Sequence, residues 1–154
     1  MKSYTEVIAE LAAMRDEKYR AFNERIVNIV QGTSVGVRTP LLRDYGKGLV
    51  KGEGFDLDAL LAFPNDVFEI RLLKCFAVGY TKMPFPEKVK YIERCVPFID
   101  GWAVCDLFCS TLKEVKKHRE EFMPEIQKYI DEGTEYSQRF GYIMLLGCYM
   151  EREY

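Results

Sequence analysis

The stretch DGWAVCDLFCSTLK, residues 100–113, holds the only tryptophan of the chain, with a carboxylate four positions after it. Val104, Leu107, Phe108 and Leu112 recur at spacings of three and four, which predicts a helix, and on a helix Trp102 and Asp106 share one face. A carboxylate on so apolar a segment requires a partner or a task. Comparable helix starts fall near Asp66, Asp100 and Thr134, a spacing of 34 residues. Helix pairs at that period indicate an α-solenoid of the HEAT or armadillo type, with a compact helical bundle as the alternative.

Working outward, Ser3 and Glu6 have capping-box spacing and open a helix carrying Val7, Ile8 and Leu11 on one face. A second helix follows Asp16 through Tyr19, Phe22, Ile26 and Ile29, and its apolar stripe reads as core packing, Tyr19 and Phe22 included. QGTSVG is a loop, and Thr39-Pro40 starts a third helix that reaches Lys51. Shorter helical segments follow Asp56 and the PND at residues 64–66, and Pro84 and Pro86 break the chain before EKVKYIERCVPFI. A helix from His118 to Glu132 stops at Gly133, and Thr134 opens the last. No segment alternates with period two, so the fold class is all-α. The last helix, RFGYIMLLGCYMEREY, is apolar almost all round, which implies cover on more than one side and suggests missing C-terminal repeats, self-association or a different packing.

With 154 residues, 48% hydrophobic and 30% charged, the chain suits one soluble domain over 1–154. No run approaches the roughly 18–20 apolar residues of a membrane span, and acids stand where a signal peptide has its apolar run, so a cytoplasmic location is expected. Five cysteines and a single histidine argue against metal and Cys-His chemistry. The cysteines read as buried, reduced side chains, and His118, within KEVKKHRE, reads as a solvated surface residue. No cofactor is expected.

The formal net charge of −2 does not favour nucleic acid, but the charges are segregated. Arg38, Arg43, Lys47 and Lys51 face one acid, Asp44; Lys113, Lys116, Lys117 and Arg119 face Glu114; residues 120–135 hold six acids and one lysine. Each basic run suits either a phosphate-contacting face or solvated helix ends.

DEKYRAFNERIV, GVRTPLLRDYGK, IDGWAVCDLFCSTLK and RFGYIMLL, in this order, resemble the DNA alkylation repair family of HEAT-like alkylpurine DNA glycosylases, over residues 16–150. The resemblance implies antiparallel helix pairs stacked in a right-handed superhelix, and excision of N3- or N7-alkylated purines from double-stranded DNA. It places the catalytic pair at Asp106 and Trp102 and a DNA-contacting arginine at Arg139. Gly101 stands where relatives commonly have asparagine, and relatives continue with further helices, so C-terminal repeats are expected to be lacking.

The chemistry is consistent with these residue types. A cationic base leaves without protonation, so the demand falls on the sugar, where a fixed carboxylate stabilises the oxocarbenium ion and orients water. An indole nearby attracts positive charge and packs on deoxyribose. Arg139 either pairs with Asp106 structurally or holds a phosphate. Arg38, Arg43 and Lys47 are further candidates for backbone contact, Arg43 and Lys47 sharing one helix face. The alternative function is a non-catalytic HEAT-like scaffold binding DNA structure or protein.

Overall fold

The computed structural model describes residues 1–151, which are helical with no strand among them. The chain divides into two compact units, one spanning Met1–Thr81 and the other beginning at Lys82.

The first unit contains α1 (Tyr4–Ala13), α2 (Glu17–Ile26), α3 (Thr39–Lys51), α4 (Leu57–Leu61) and α5 (Phe68–Tyr80). The expected capping box opens α1: Ser3 N–H donates to Glu6 Oε2 at 2.7 Å and Glu6 N–H to Ser3 Oγ at 3.3 Å. Helix α5 is the core element, buried from Phe68 through Val78 and packed against α3. It starts after Val67 rather than at the PND turn, and Asp66 accepts a hydrogen bond from Tyr4 Oη at 2.8 Å.

Helix α2 departs from expectation. It ends at Ile26, before Asn28, whose φ of 54° is left-handed, and it buries no residue. Phe22 and Ile26 are about half exposed, at 55% and 51%, and Tyr19 is half-buried, so the expected core packing of Phe22 is not found. The polar side of α2 docks instead, because the following loop offers hydrogen-bonding groups there. Glu24 accepts from Ser34 Oγ at 2.6 Å and from Gly32 N–H at 3.4 Å, and pairs with Arg20 at 3.3 Å. Gly36 has φ +95°, and a Cβ there would lie 2.6 Å from Arg20 Cβ, so this loop approach requires glycine.

The same loop is held from the other side by a buried carboxylate that sequence did not single out. Glu69, fully buried on α5, accepts from the backbone N–H groups of Val35 and Gly36 at 2.8 Å and of Val37 at 3.3 Å. Three amides neutralise the desolvation cost of the charge and lock the loop that leads into α3.

The second unit contains α6 (Phe85–Cys95), a 3-10 turn (Val96–Phe98), α7 (Trp102–Thr111), a second 3-10 turn (Lys113–Lys117), α8 (Arg119–Asp131) and α9 (Glu135–Cys148). Pro86 lies in the first turn of α6, where a missing N–H costs nothing, so it starts the helix that it was expected to precede. Pro97 belongs to the 3-10 turn that separates α6 from the approach to α7. Gly133, at φ +75°, reverses the chain between α8 and α9, as expected. Helix α9 packs on α7 and α8 through Phe140, Gly141, Met144 and Cys148. Away from that contact Tyr142 and Leu146 are 52% and 62% exposed, and Met150, beyond the helix end, is 73% exposed. The five cysteines are buried and free, as expected. His118 is half-buried, not solvated: its ring stacks on Phe85 at 4.1 Å and it meets Glu121 at 3.0 Å. No helix among the described residues is long and apolar enough to cross a membrane.

Glu125 on α8 lies 3.6 Å from Lys128, which in turn meets Glu93 of α6 at 3.3 Å. Burial pushes the Glu125 carboxyl above its ordinary 4.5, and the neighbouring Glu93 adds to this.

Two stability outcomes follow from these carboxylates. Glu69→Ala leaves three buried amides without an acceptor, at about 1–3 kcal/mol each, so urea unfolding is expected to show a loss of about 3 kcal/mol or more. Glu125, its folded value raised, contributes stability that is complete below pH 4.5 and is lost as pH rises through the raised value. Glu125→Gln lacks this dependence, so its stability relative to wild type is expected to improve as pH rises from about 4 through that raised value and to level off above it, as unfolding at a series of pH values would show.

Candidate functional site

Trp102 is the first residue of α7 and Asp106 lies one turn further on; Glu135 is the first residue of α9 and Arg139 lies one turn further on. Equivalent ranks in two packed helices bring the one-turn positions together. Arg139 donates from Nε to Asp106 Oδ1 and from Nη2 to Asp106 Oδ2, both at 2.8 Å. The pair is only partly buried, with side-chain exposures of 41% for Arg139 and 32% for Asp106. The hydrogen bonds that Arg139 donates to Asp106 raise the Arg139 pKa above its ordinary value. A guanidinium has five N–H donors, and this arrangement commits two. The edge formed by Nη1 and the second Nη2 hydrogen keeps the fork geometry that fits a second oxyanion.

Trp102, 42% exposed, lines a hollow of about 460 Å³ together with Glu135, Tyr136, Gln138, Arg139, Tyr142 and Ile143. Asp106 is not part of this wall; its partner Arg139 is. The wall has one cation and one acid, and no lysine. Gly101, one residue after the expected start near Asp100, occupies the capping position of α7 and makes no side-chain hydrogen bond there.

The other expected contacts belong to the first unit. Arg38 precedes α3, pairs with Asp16 at 3.0 Å and lies 5.2 Å from the Tyr19 ring centroid. Arg43 donates from Nη1 to Tyr80 Oη at 3.1 Å, and its guanidinium lies 4.7 Å from the Phe76 ring. Lys47 is exposed, with its ammonium 5.5 Å from the Tyr80 ring, so Arg43 and Lys47 share a face as expected and meet at one tyrosine. In the second basic run, Lys116 and Arg119 are both engaged by Glu151 at 2.6 Å. No group of three His, Cys, Asp or Glu that could hold a metal gathers among the described residues.

Sequence reasoning missed Glu135, Tyr136 and Tyr142. Their signal is the spacing 135, 139, 142, which puts Glu135 and Tyr142 on the face of α9 that carries Arg139. That face is hard to see in a helix whose letters are apolar on nearly every side.

The class is thus an all-helical protein in which two packed helices present an indole beside a half-exposed guanidinium–carboxylate pair. The family model described as DNA alkylation repair enzyme matches residues 7–152, and the chain belongs to that family. Its role lies in DNA repair. Comparison with curated proteins and with solved structures returns no match.

The pair can be measured directly. A double-mutant cycle with Asp106→Asn and Arg139→Gln is expected to give a coupling of about 0.5–1 kcal/mol, as for other half-exposed pairs, and a smaller value in high salt.

Proposed function

We propose that the protein hydrolytically excises cationic N3- or N7-alkylated purines from duplex DNA, its helix pairs acting as HEAT-like repeats of a right-handed α-solenoid. The observation that carries this reading is the bidentate Asp106–Arg139 pair, open to solvent, one turn from the only tryptophan. An alkylated purine already bears a positive charge, so the bonding electrons of its glycosidic bond neutralise it as the bond breaks. The base departs neutral and the sugar is left as an oxocarbenium ion. Asp106 stabilises that ion and orients the water that adds to the anomeric carbon, whose extra proton passes to solvent. With two of its lone-pair positions taken by Arg139, Asp106 keeps capacity for that water. Trp102 packs on the lesion nucleotide, and the outer edge of Arg139 holds a phosphate without giving up Asp106. Arg38, Arg43 and Lys47 serve the DNA backbone as point and planar charges.

Release of alkylpurine from methylated duplex DNA is the test. Wild type is expected to release base, Asp106→Asn to do so about 100-fold more slowly or worse, and Arg139→Gln to bind DNA more weakly with a salt slope shallower by about one. DNA binding without any release by wild type would remove the enzymatic reading in favour of a DNA-binding scaffold.

A further inference from the structure

The hollow beside Trp102 contains a second carboxylate whose position gives it a separate use. Glu135 and Arg139 are four residues apart on one face of α9, the spacing at which a glutamate and an arginine ordinarily pair. Here Arg139 is drawn to Asp106 by two bonds of 2.8 Å, and Glu135 is left exposed with no ion pair among the described residues. The negative charge in the wall of the hollow is therefore that of Glu135 and not that of Asp106. Three aromatic residues, Trp102, Tyr136 and Tyr142, line the same hollow. Two of these are substantially exposed, Trp102 at 42% and Tyr142 at 52%. Aromatic rings and a carboxylate that line one hollow attract organic cations. Arg139, one turn away in the same wall, carries the opposite charge. A hollow of about 460 Å³ is within the range of small-molecule sites, and its two charges match a nucleotide whose ring is positive and whose phosphate is negative.

We propose that Glu135, Tyr136 and Tyr142 are recognition residues, which together with Trp102 select the positively charged ring of an N-alkylated purine over the unmodified base. This rests on the excision reading given above and adds to it the groups that sense the charge of the lesion. Asp106 acts on the sugar, whereas Glu135 and the tyrosines act on the base.

Because the chain has one tryptophan, its single indole N–H resonance reports on this hollow alone. Titration of that resonance with N7-methylguanosine, guanosine and tetramethylammonium separates the cases. The cationic nucleoside is expected to shift it with at least about fivefold tighter binding than guanosine. Tyr142→Ala and Glu135→Gln are expected to weaken that binding about two- to fivefold each, while Tyr142→Phe retains it. Both side chains are exposed, so the variants are expected to fold as wild type does. Equal binding of guanosine overturns the proposal, as does equal binding of tetramethylammonium, which would mark a general cation cage. No change in either variant overturns it too. Base release without this preference leaves excision standing and removes the recognition role; the preference without base release leaves the recognition role and removes excision.

Discussion

The second unit depends on how closely α9 lies against α8, and one glycine sets that distance. A Cβ on Gly141 would stand 2.8 Å from Ile130 Cγ1 and 3.2 Å from the Ile126 carbonyl oxygen, so backbone and side chain meet there with no room for a methyl group. Close packing fixes rotation as well as distance. With Gly141 and Phe140 turned to the core, Arg139 is left at the boundary, where its guanidinium reaches Asp106 on α7. The Phe140 ring is held by Phe108 at 5.7 Å and by Tyr129 at 5.3 Å, one neighbour from each of the helices that α9 contacts. Aromatic packing in the core thus determines which polar groups meet at the rim.

The first unit uses a comparable constraint with opposite chemistry. There a buried anion, Glu69, gathers three amides of one loop, and the loop in turn gives α2 a polar surface on which to dock. Turning the polar side of α2 inward turns Phe22 and Ile26 outward. An amphipathic pattern shows which residues share a face but does not say which face is covered. The covered face is chosen by what the rest of the chain presents, and here that is a loop rich in hydrogen-bonding groups.

This difference also sets how much the sequence could reveal. Local devices were legible: the Ser3–Glu6 capping box, the proline at the start of α3, the turn at Gly133. So was the pairing of Arg139 with Asp106, one of the two readings open for that arginine, because a repeat spacing survives translation into structure. The helix starts came out two residues late at Phe68 and Trp102, where Val67 and Gly101 take the capping position, while Thr134 caps the last helix as expected. Other contacts spanning more than thirty residues were not legible. Glu69 reaches amides 32 to 34 positions away, and His118 stacks on a phenylalanine from α6, 33 positions earlier in the chain. Nothing in the local pattern around either residue announces its partner. The hollow was missed for the same reason, because the exposure of Glu135 and Tyr142 depends on α7 and α8 covering the other side of α9.

The Asp106–Arg139 pair has an electrostatic consequence that a lone carboxylate would lack. With both oxygens engaged, the negative charge of Asp106 is partly compensated, and it remains only partly buried, so solvent screens it further. An anion docking on the outer edge of Arg139 would draw on the same guanidinium charge, and Asp106 would become a more effective negative centre as that anion arrives. Exclusion of water by a bound polyanion would lower the local dielectric and strengthen the field of the carboxylate at the same moment. In a protein of net charge −2, such a coupling would confine the full strength of the acid to the complex with a phosphate backbone. Among the described residues Glu135 has no such partner, which suits a group that selects rather than one that reacts.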